Sequence, residues 1–422
     1  MLRFPAVRLA YRFCLPVALL ALAAPGIASA AVASQVTAGV LVVASDGADR
    51  IAVGCSGGQV QVNGEAPDSG ATACAAIIRI DVRGGPDANE IDLSTVSRTG
   101  FTNVVDVDVE GGEGSDSIRG SQLDDELGLG PGDDLALGGA GSDVLTGGTG
   151  DDTLDSSSGE GALPSEAEDL LGGAGDDTYV ILAGGPAQLR SLVVSDSAGT
   201  DTLASELAVT VDLGSDEGQP QVIAANTTLL LTGEVENFDG SQGSDEVSGG
   251  EADNLLDGGG GADTLAGGDG DDVLRGGGGD DDLSGGDGDD WLDGGLRSDL
   301  IAGGNGTDTA DYGGRRLGVT ASLDARRNDG MRGDERPDGR RDWIRRDVEN
   351  LRGGLGNDTL KGNNQRNRLI GGPGADRLYG LAGEDMISAR DRRRDEVHGG
   401  PGTDTARVDP RRDRVRFVER LT

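Results

Sequence analysis

From Gly240 to Asp311 the chain repeats every nine residues without a slip, and this period constrains the fold more than any other feature. In steps of nine from Gly240, the sixth position reads Asp245, Asn254, Asp263, Asp272, Asp281, Asp290, Asp299 and Asp308. The eighth reads Val247, Leu256, Leu265, Leu274, Leu283, Leu292, Ile301 and Ala310. The residues between are mostly glycine and aspartate, as in GGDGDDVLRGGGGDDDLSGGDGDDWLDGG from Gly267, a composition that alone describes a solvated spacer. A spacer has no reason to return an aliphatic residue in register. One unit holds too little apolar surface to fold by itself, whereas stacked units share an aliphatic column and pair their backbones between coils.

Two further arrays carry the same period. The first runs from Gly111 with Asp116, Asp125, Asp134, Asp143 and Asp152 at the sixth position, and a detached unit, GGAGDDTYV from Gly172, adds Asp177. The third runs from Gly353 with Asp358, Asn367, Asp376 and Asp385; one inserted residue in ARDRRRDEVH moves the next aspartate to Asp395, and the last unit carries Asp404. VENF at Val235 and VENL at Val348 each precede an array by five residues, Asn254 and Asn367 fall on the same unit of each, and both arrays finish with GTDTA. The chain therefore reads as a duplicated module.

The expected organisation is a signal segment over 1–30, an N-terminal β-strand segment over 31–110, and arrays over 111–180, 240–311 and 353–408. A β-rich linker over 181–239, an Arg-rich linker over 312–352 and a basic C-terminal tail over 409–422 complete it. Arg3, Arg8 and Arg12, the short apolar run FCLPVALLALAAP and Ala28-Ser29-Ala30 make a secretory signal with cleavage near Ala30. No other stretch is apolar enough to span a bilayer, so a secreted, extracellular chain is expected. Runs such as VLVVAS, AIIRIDV, LAVTVDL and NTTLLLTG have the alternation or short aliphatic pattern of strands, and no amphipathic helix is evident beyond the signal. Cys55 and Cys74 are the two cysteines outside the signal; in an oxidising compartment they are expected to form a disulfide, the alternative being two buried thiols.

The formal charge of the 422-residue chain is −39, which argues against nucleic acid as a partner and for cations. The acidity is uneven: residues 31–314 hold 8 basic and 56 acidic side chains, whereas residues 315–422 hold 25 and 19. Aspartate at the sixth position offers a short, stiff carboxylate beside a glycine turn whose carbonyls can converge. Oxygen-only ligands on flexible loops select a hard cation and suit Ca²⁺ better than Mg²⁺. Carboxylates about 5 Å apart repel by roughly 0.8 kcal/mol per pair even in water. A divalent ion between them reverses that sign, so binding and folding should be one event.

The pattern G-G-x-G-x-D-x-U-x, with U a large aliphatic, resembles that of the RTX family, the haemolysin-type calcium-binding nonapeptide repeat, over 111–155, 172–180, 240–311 and 353–406. The resemblance implies an all-β fold, a right-handed parallel β-roll in which two units make a turn, units i and i+2 stack, and several Ca²⁺ ions sit between their loops. That stacking implies the pairs Asp245–Asp263, Asn254–Asp272, Asp263–Asp281, Asp272–Asp290, Asp281–Asp299 and Asp290–Asp308. In the first array it implies Asp116–Asp134, Asp125–Asp143 and Asp134–Asp152. Arg366, Arg368, Arg377 and Arg392-Arg393-Arg394 crowd the third array, where they are expected to weaken calcium binding or replace it with internal ion pairs.

Catalysis finds little support. GCSGG at Gly54 matches a nucleophile elbow, but the only histidine is His398, inside the third array, and Cys55 is better used as a disulfide partner. One histidine also excludes an H-E-x-x-H zinc site. The Arg326–Arg346 stretch reads as a solvated face or an internal counter-charge to the acidic arrays, the alternative being contact with an acidic partner such as an anionic glycan, and Trp291, just before the inward Leu292, is expected on the outer face. The expected function is a non-enzymatic, secreted calcium-binding scaffold. The alternative is an adhesin or matrix component that recognises extracellular polysaccharide or a cell surface; a hydrolase or lyase in 31–110 comes third.

Overall fold

A computed structural model describes residues 32–156, 165–181, 189–205, 208–214, 219–224, 227–232, 234–331 and 341–422. The signal segment lies outside them. Among the described residues the only helical segment is a 3-10 turn at Cys74–Ala76; the rest of the regular structure is strand.

The strands form a parallel β-roll with two faces. The first face is one unbroken ladder. It begins with Arg50–Ser56 beside Glu90–Asp92, climbs through Ser117–Arg119, Leu135–Leu137 and Thr153–Asp155, and passes the first linker through Thr202–Ser205 and Asn237–Asp239. It continues through Leu255–Asp257, Val273–Arg275, Trp291–Asp293, Thr309–Asp311 and Asn350–Arg352, and ends at Arg420–Leu421. Within the second array the register advances by eighteen residues, as in Leu256↔Leu274↔Leu292, so units two apart stack. The three arrays thus share one roll.

The second face is parallel within each array and changes hands at the linkers. It rises from Val40–Ala44 through Arg79–Arg83, Asp106–Glu110, Asp125–Pro131 and Val144–Thr149 to Leu189–Ser195 and Thr227–Thr232. In the first linker, Thr227–Thr232 stacks on Leu189–Ser195 and so continues the preceding array, whereas Thr210–Asp212, earlier in the chain, pairs with Glu246–Ser248 of the following array. Gln221–Ala224 lies between them, antiparallel to Thr227–Thr232 and joined to Asp212 by its Gln221 side chain at 2.8 and 3.0 Å. The second linker repeats this crossing. Asp342–Ile344 pairs with Leu300–Asn305 behind it, Val319–Ser322 pairs with Thr359–Lys361 ahead, and Arg327–Met331 runs antiparallel to both linker strands. The duplicated sequence module is therefore also a duplicated topology.

The core is one aliphatic column per face. Leu256, Leu274 and Leu292 on one side and Leu265, Leu283 and Ile301 on the other are fully buried. Burying one such leucine is worth roughly 1.5–3 kcal/mol, too little for a single coil and sufficient only when shared along a stack. The N-terminal end is covered by antiparallel strands: Ala33–Thr37 on Val40–Ala44, and Gln59–Val62 on Arg50–Ser56. Cys55 and Cys74 are disulfide-bonded there, tying that hairpin to the 3-10 turn. At the other end, residues expected to be a basic tail form a further coil, with Arg414–Arg416 and Arg420–Leu421 in the two ladders. Arginines on these last strands blunt an otherwise open edge.

Candidate calcium sites

The sixth-position residue of each unit is held between its own turn and the coil two units away. Its Oδ1 accepts the backbone N–H of the residue eighteen positions earlier: Asp245 to Asp263 at 2.8 Å, Asp263 to Asp281 at 2.9 Å, Asp281 to Asp299 at 3.1 Å. The interleaved column gives Asn254 to Asp272 at 2.8 Å, Asp272 to Asp290 at 2.9 Å and Asp290 to Asp308 at 3.0 Å. In the first array the same bond joins Asp116 to Asp134, Asp134 to Asp152 and Asp125 to Asp143, and across a step of 25 residues it joins Asp152 to Asp177, at 2.6–2.9 Å. In the third it joins Asp358 to Asp376 and Asn367 to Asp385, and, past the inserted residue, Asp376 to Asp395 and Asp385 to Asp404 across 19 residues, at 2.8–2.9 Å. A neighbouring column of exposed fifth-position aspartates runs the opposite way: Asp271 donates its N–H to Asp253, Asp289 to Asp271, and Thr307 of GTDTA to Asp289. Threonine ends that outer column because it supplies no carboxylate for the next coil.

The second carboxylate oxygen defines three environments. In most units Oδ2 is buried without a hydrogen-bond partner, as in Asp116, Asp134, Asp143, Asp152, Asp177, Asp263, Asp272, Asp281, Asp290, Asp299, Asp308, Asp358, Asp376, Asp385, Asp395 and Asp404. A buried charged oxygen with no partner is costly and calls for a cation or a proton. In Asp125 and Asp245, the second-position serine supplies the partner: the Ser121 N–H bonds Asp125 Oδ2 at 2.5 Å, and both the N–H and the hydroxyl of Ser241 bond Asp245 Oδ2 at 3.1 Å. In Asn254 and Asn367, Oδ1 accepts the second-position N–H and Nδ2 donates to a carbonyl, Glu236 at 2.7 Å and Glu349 at 2.8 Å. Asn254 thus differs from the expected cation ligand: its amide places a donor where an ion would otherwise meet the carbonyl.

The first-position glycine opens the space beside the partnerless oxygen. A Cβ on Gly267 would lie 2.0 Å from Asp272 Oδ2 and 2.5 Å from the Gly285 carbonyl oxygen. On Gly285 it would lie 2.0 Å from Asp290 Oδ2 and 2.6 Å from the Gly303 carbonyl oxygen. Carboxylate and carbonyl oxygens therefore converge on a gap that only glycine leaves free. The donor set is all oxygen and repeats up the roll, which fits Ca²⁺. Burial raises these carboxyls from their ordinary 3.8: Asp263 and Asp358 to about 6, Asp272, Asp281, Asp308 and Asp376 to about 7. Asp143, buried against Asp125 and Glu168, rises to about 9, and Asp299, buried beside Asp342, to about 10. Calcium bound between the loops would supply the positive charge that a proton otherwise brings.

Several column members escape the nine-residue count. Asp201 accepts the Asp177 N–H at 2.8 Å, Asp342 accepts that of Asp299 at 3.1 Å, and Asp413 accepts that of Asp395 at 3.1 Å. Glutamates do the same where a coil is irregular: Glu168 for Asp143, Glu236 for Asp201, Glu349 for Asp308 and Glu419 for Asp404, at 2.8–3.1 Å. The Gly199-Thr200-Asp201-Thr202 sequence, echoing the ends of the other arrays, was the available signal for Asp201.

Arg366, Arg368 and Arg377 do not take the ion's place in the third array. Arg368 and Arg377 stand at exposed positions of strands whose inward residue is leucine, Arg377 pairs with Glu396 at 3.8 Å, and Arg366 reaches the Met386 sulfur. Arg315 instead bridges the second array and its linker, at 2.6 Å from Asp293. Arg327 and Arg345 each lie over the Trp343 ring, 4.8 and 4.7 Å from its centroid. Trp291 lies on the outer face, with its indole N–H on Asp311 at 2.8 Å and Arg352 over its ring.

Stacked carboxylate–carbonyl cradles on a parallel roll define a calcium-binding β-roll. A family model of four copies of the RTX calcium-binding nonapeptide repeat matches residues 129–162, 239–274, 257–292, 284–314 and 352–387, within all three arrays. Over these segments the chain carries RTX calcium-binding nonapeptide repeats of the haemolysin type. No curated protein matches it in overall sequence.

Proposed function

We propose that the chain is an exported scaffold whose roll assembles on extracellular calcium and displays its faces for surface interaction. The observation that carries this reading is the column of buried, partnerless Oδ2 atoms along all three arrays. Without a counter-ion these oxygens oppose compaction; with calcium the same oxygens hold successive coils together, so folding and binding are coupled. The signal-like segment supports export, and no helix among the described residues is long and apolar enough to cross a membrane. Circular dichroism at neutral pH in chelator and then in calcium tests the scaffold: β-structure should increase with calcium, and an unchanged spectrum would sink it.

A non-enzymatic role fits the N-terminal coils. The cysteine of GCSGG is in a disulfide, Ser56 ends a hairpin strand at one end of the roll, and His398 is in the second-last strand of the second face at the other. An adhesin role is the second reading. It is favoured by an apolar concavity of about 580 Å³ near the C-terminal end, where Tyr379, His398 and Phe417 form a ladder with ring centroids 5.8 and 5.4 Å apart. Retention of the calcium-loaded chain on envelope polysaccharide, lost in Phe417→Ala, would support it.

A further inference from the structure

We propose that Asp177, Asp196 and Asp201 form a calcium site of which the nonapeptide encodes only Asp177, and that this ion fastens the first linker onto the first array. Their ligand oxygens all lie within 4.8 Å of one another. Asp177 and Asp201 are each only 1% exposed. Their Oδ1 atoms are committed to the N–H groups of Asp152 and Asp177, and their Oδ2 atoms have no partner. Two nine-tenths-buried orphan oxygens are thus brought beside a third carboxylate.

That third carboxylate comes from outside the repeats. Asp196 directly follows the strand Leu189–Ser195, which belongs to the second face, and it reaches the aspartate column through Tyr179. Tyr179 occupies the eighth position, where other units carry an aliphatic residue. Its ring stays in the core while its hydroxyl donates to Asp196 Oδ1 at 2.9 Å and accepts the Gly172 N–H at 3.1 Å. A Cβ on Gly172 would lie 2.2 Å from both Asp177 Oδ2 and the tyrosine oxygen, so hydroxyl and orphan carboxylate face the same gap. The backbone closes around it, with a parallel bridge between Ala174 and Ala198 and a Ser197 hydroxyl bond to the Gly173 carbonyl.

An all-oxygen set with three carboxylates takes a hard divalent cation, and added ligand charge tightens such sites. In-array cradles bring two sixth-position residues together; this one adds a carboxylate from the linker. None of residues 172–205 falls within the matched repeat segments. The ion would hold residues 196–201 against the last regular unit of the first array. One coil further, Asp201 hands its N–H to Glu236 at the start of the second module.

Calcium titration calorimetry on the full chain, with terbium(III) luminescence excited through tyrosine, tests the site. Asp196→Asn should weaken the tightest calcium phase by about tenfold or more. Tyr179→Phe should keep that phase and lose the tyrosine-sensitised emission that appears with the first equivalent of terbium. An Asp196→Asn chain that binds its first calcium as tightly as the unaltered chain overturns the proposal, as does undiminished first-equivalent emission in Tyr179→Phe. The later phases of the same titration report calcium binding by the arrays, so this site can fail while theirs stands.

Discussion

The Asn254 side-chain amide donates to the Glu236 carbonyl oxygen at 2.7 Å, and 113 residues later Asn367 makes the same bond to Glu349 at 2.8 Å. Both asparagines also accept the N–H four residues before them, and both donate their own N–H to the aspartate of the next coil. A neutral amide thereby satisfies both neighbours with no ion. Each module begins on a joint that calcium need not hold.

Asn254→Asp should convert that joint into a cation cradle. In chelator the new carboxylate faces a carbonyl with no donor between them, and stability should fall by about 1–3 kcal/mol. In calcium the stoichiometry measured by calorimetry should rise by one, and Asn367→Asp should do the same independently. An unchanged stoichiometry in both variants would show that the amides are not what keeps the ion out.

Acid should help the metal-free roll and hinder the calcium-bound one. Asp272, Asp281 and Asp308 rise on folding from 3.8 to about 7, chiefly through burial. Between those values the folded metal-free chain binds more protons than the unfolded chain. Its stability therefore falls as pH rises through that window, and the penalty is complete above about 7. Calcium must displace those protons, so its affinity should rise from pH 5 to 7 and level off. Melting in chelator and calcium titration, each across pH 5–8, should give opposite slopes; slopes of the same sign would contradict the assignment.

Much of this was legible from the chain because one period sets both faces. The eighteen-residue bonds, the aliphatic columns and the cradles all follow from a glycine, an aspartate and an aliphatic returning every nine residues. What escaped the count had lost the glycines but kept a carboxylate. Asp201 and Asp413 lie in units without a glycine pair, and Glu236 and Glu349 reach the column with a longer side chain from an irregular coil. The crossed strand order of the linkers left no periodic trace, because it depends on which array each strand meets, and both patterns of strands read alike.

The disulfide should matter only at the N-terminal end. Cys55 and Cys74 close a loop nineteen residues apart, a constraint worth about 3 kcal/mol in the unfolded chain. Reduction should speed hydrogen exchange in Arg50–Ser56 and Gln59–Val62 while leaving the second array protected in calcium. Equal loss of protection in both regions would mean that the roll unfolds as one unit.

Gly285 and Gly278 offer a matched pair for the role of the first-position glycine. At Gly285 a methyl group would collide with Asp290 Oδ2 at 2.0 Å and the Gly303 carbonyl oxygen at 2.6 Å. At Gly278 the nearest atom would be 3.9 Å away, and that backbone needs no left-handed φ. Gly285→Ala should therefore remove calcium from its cradle and cost about 1–3 kcal/mol of stability in calcium, the range for overpacking a close-packed site. Gly278→Ala should bind calcium like the unaltered chain and melt at nearly the same temperature. Calorimetry and thermal melts of both variants check this. Equal behaviour would mean that the first-position glycine does not make room for an ion.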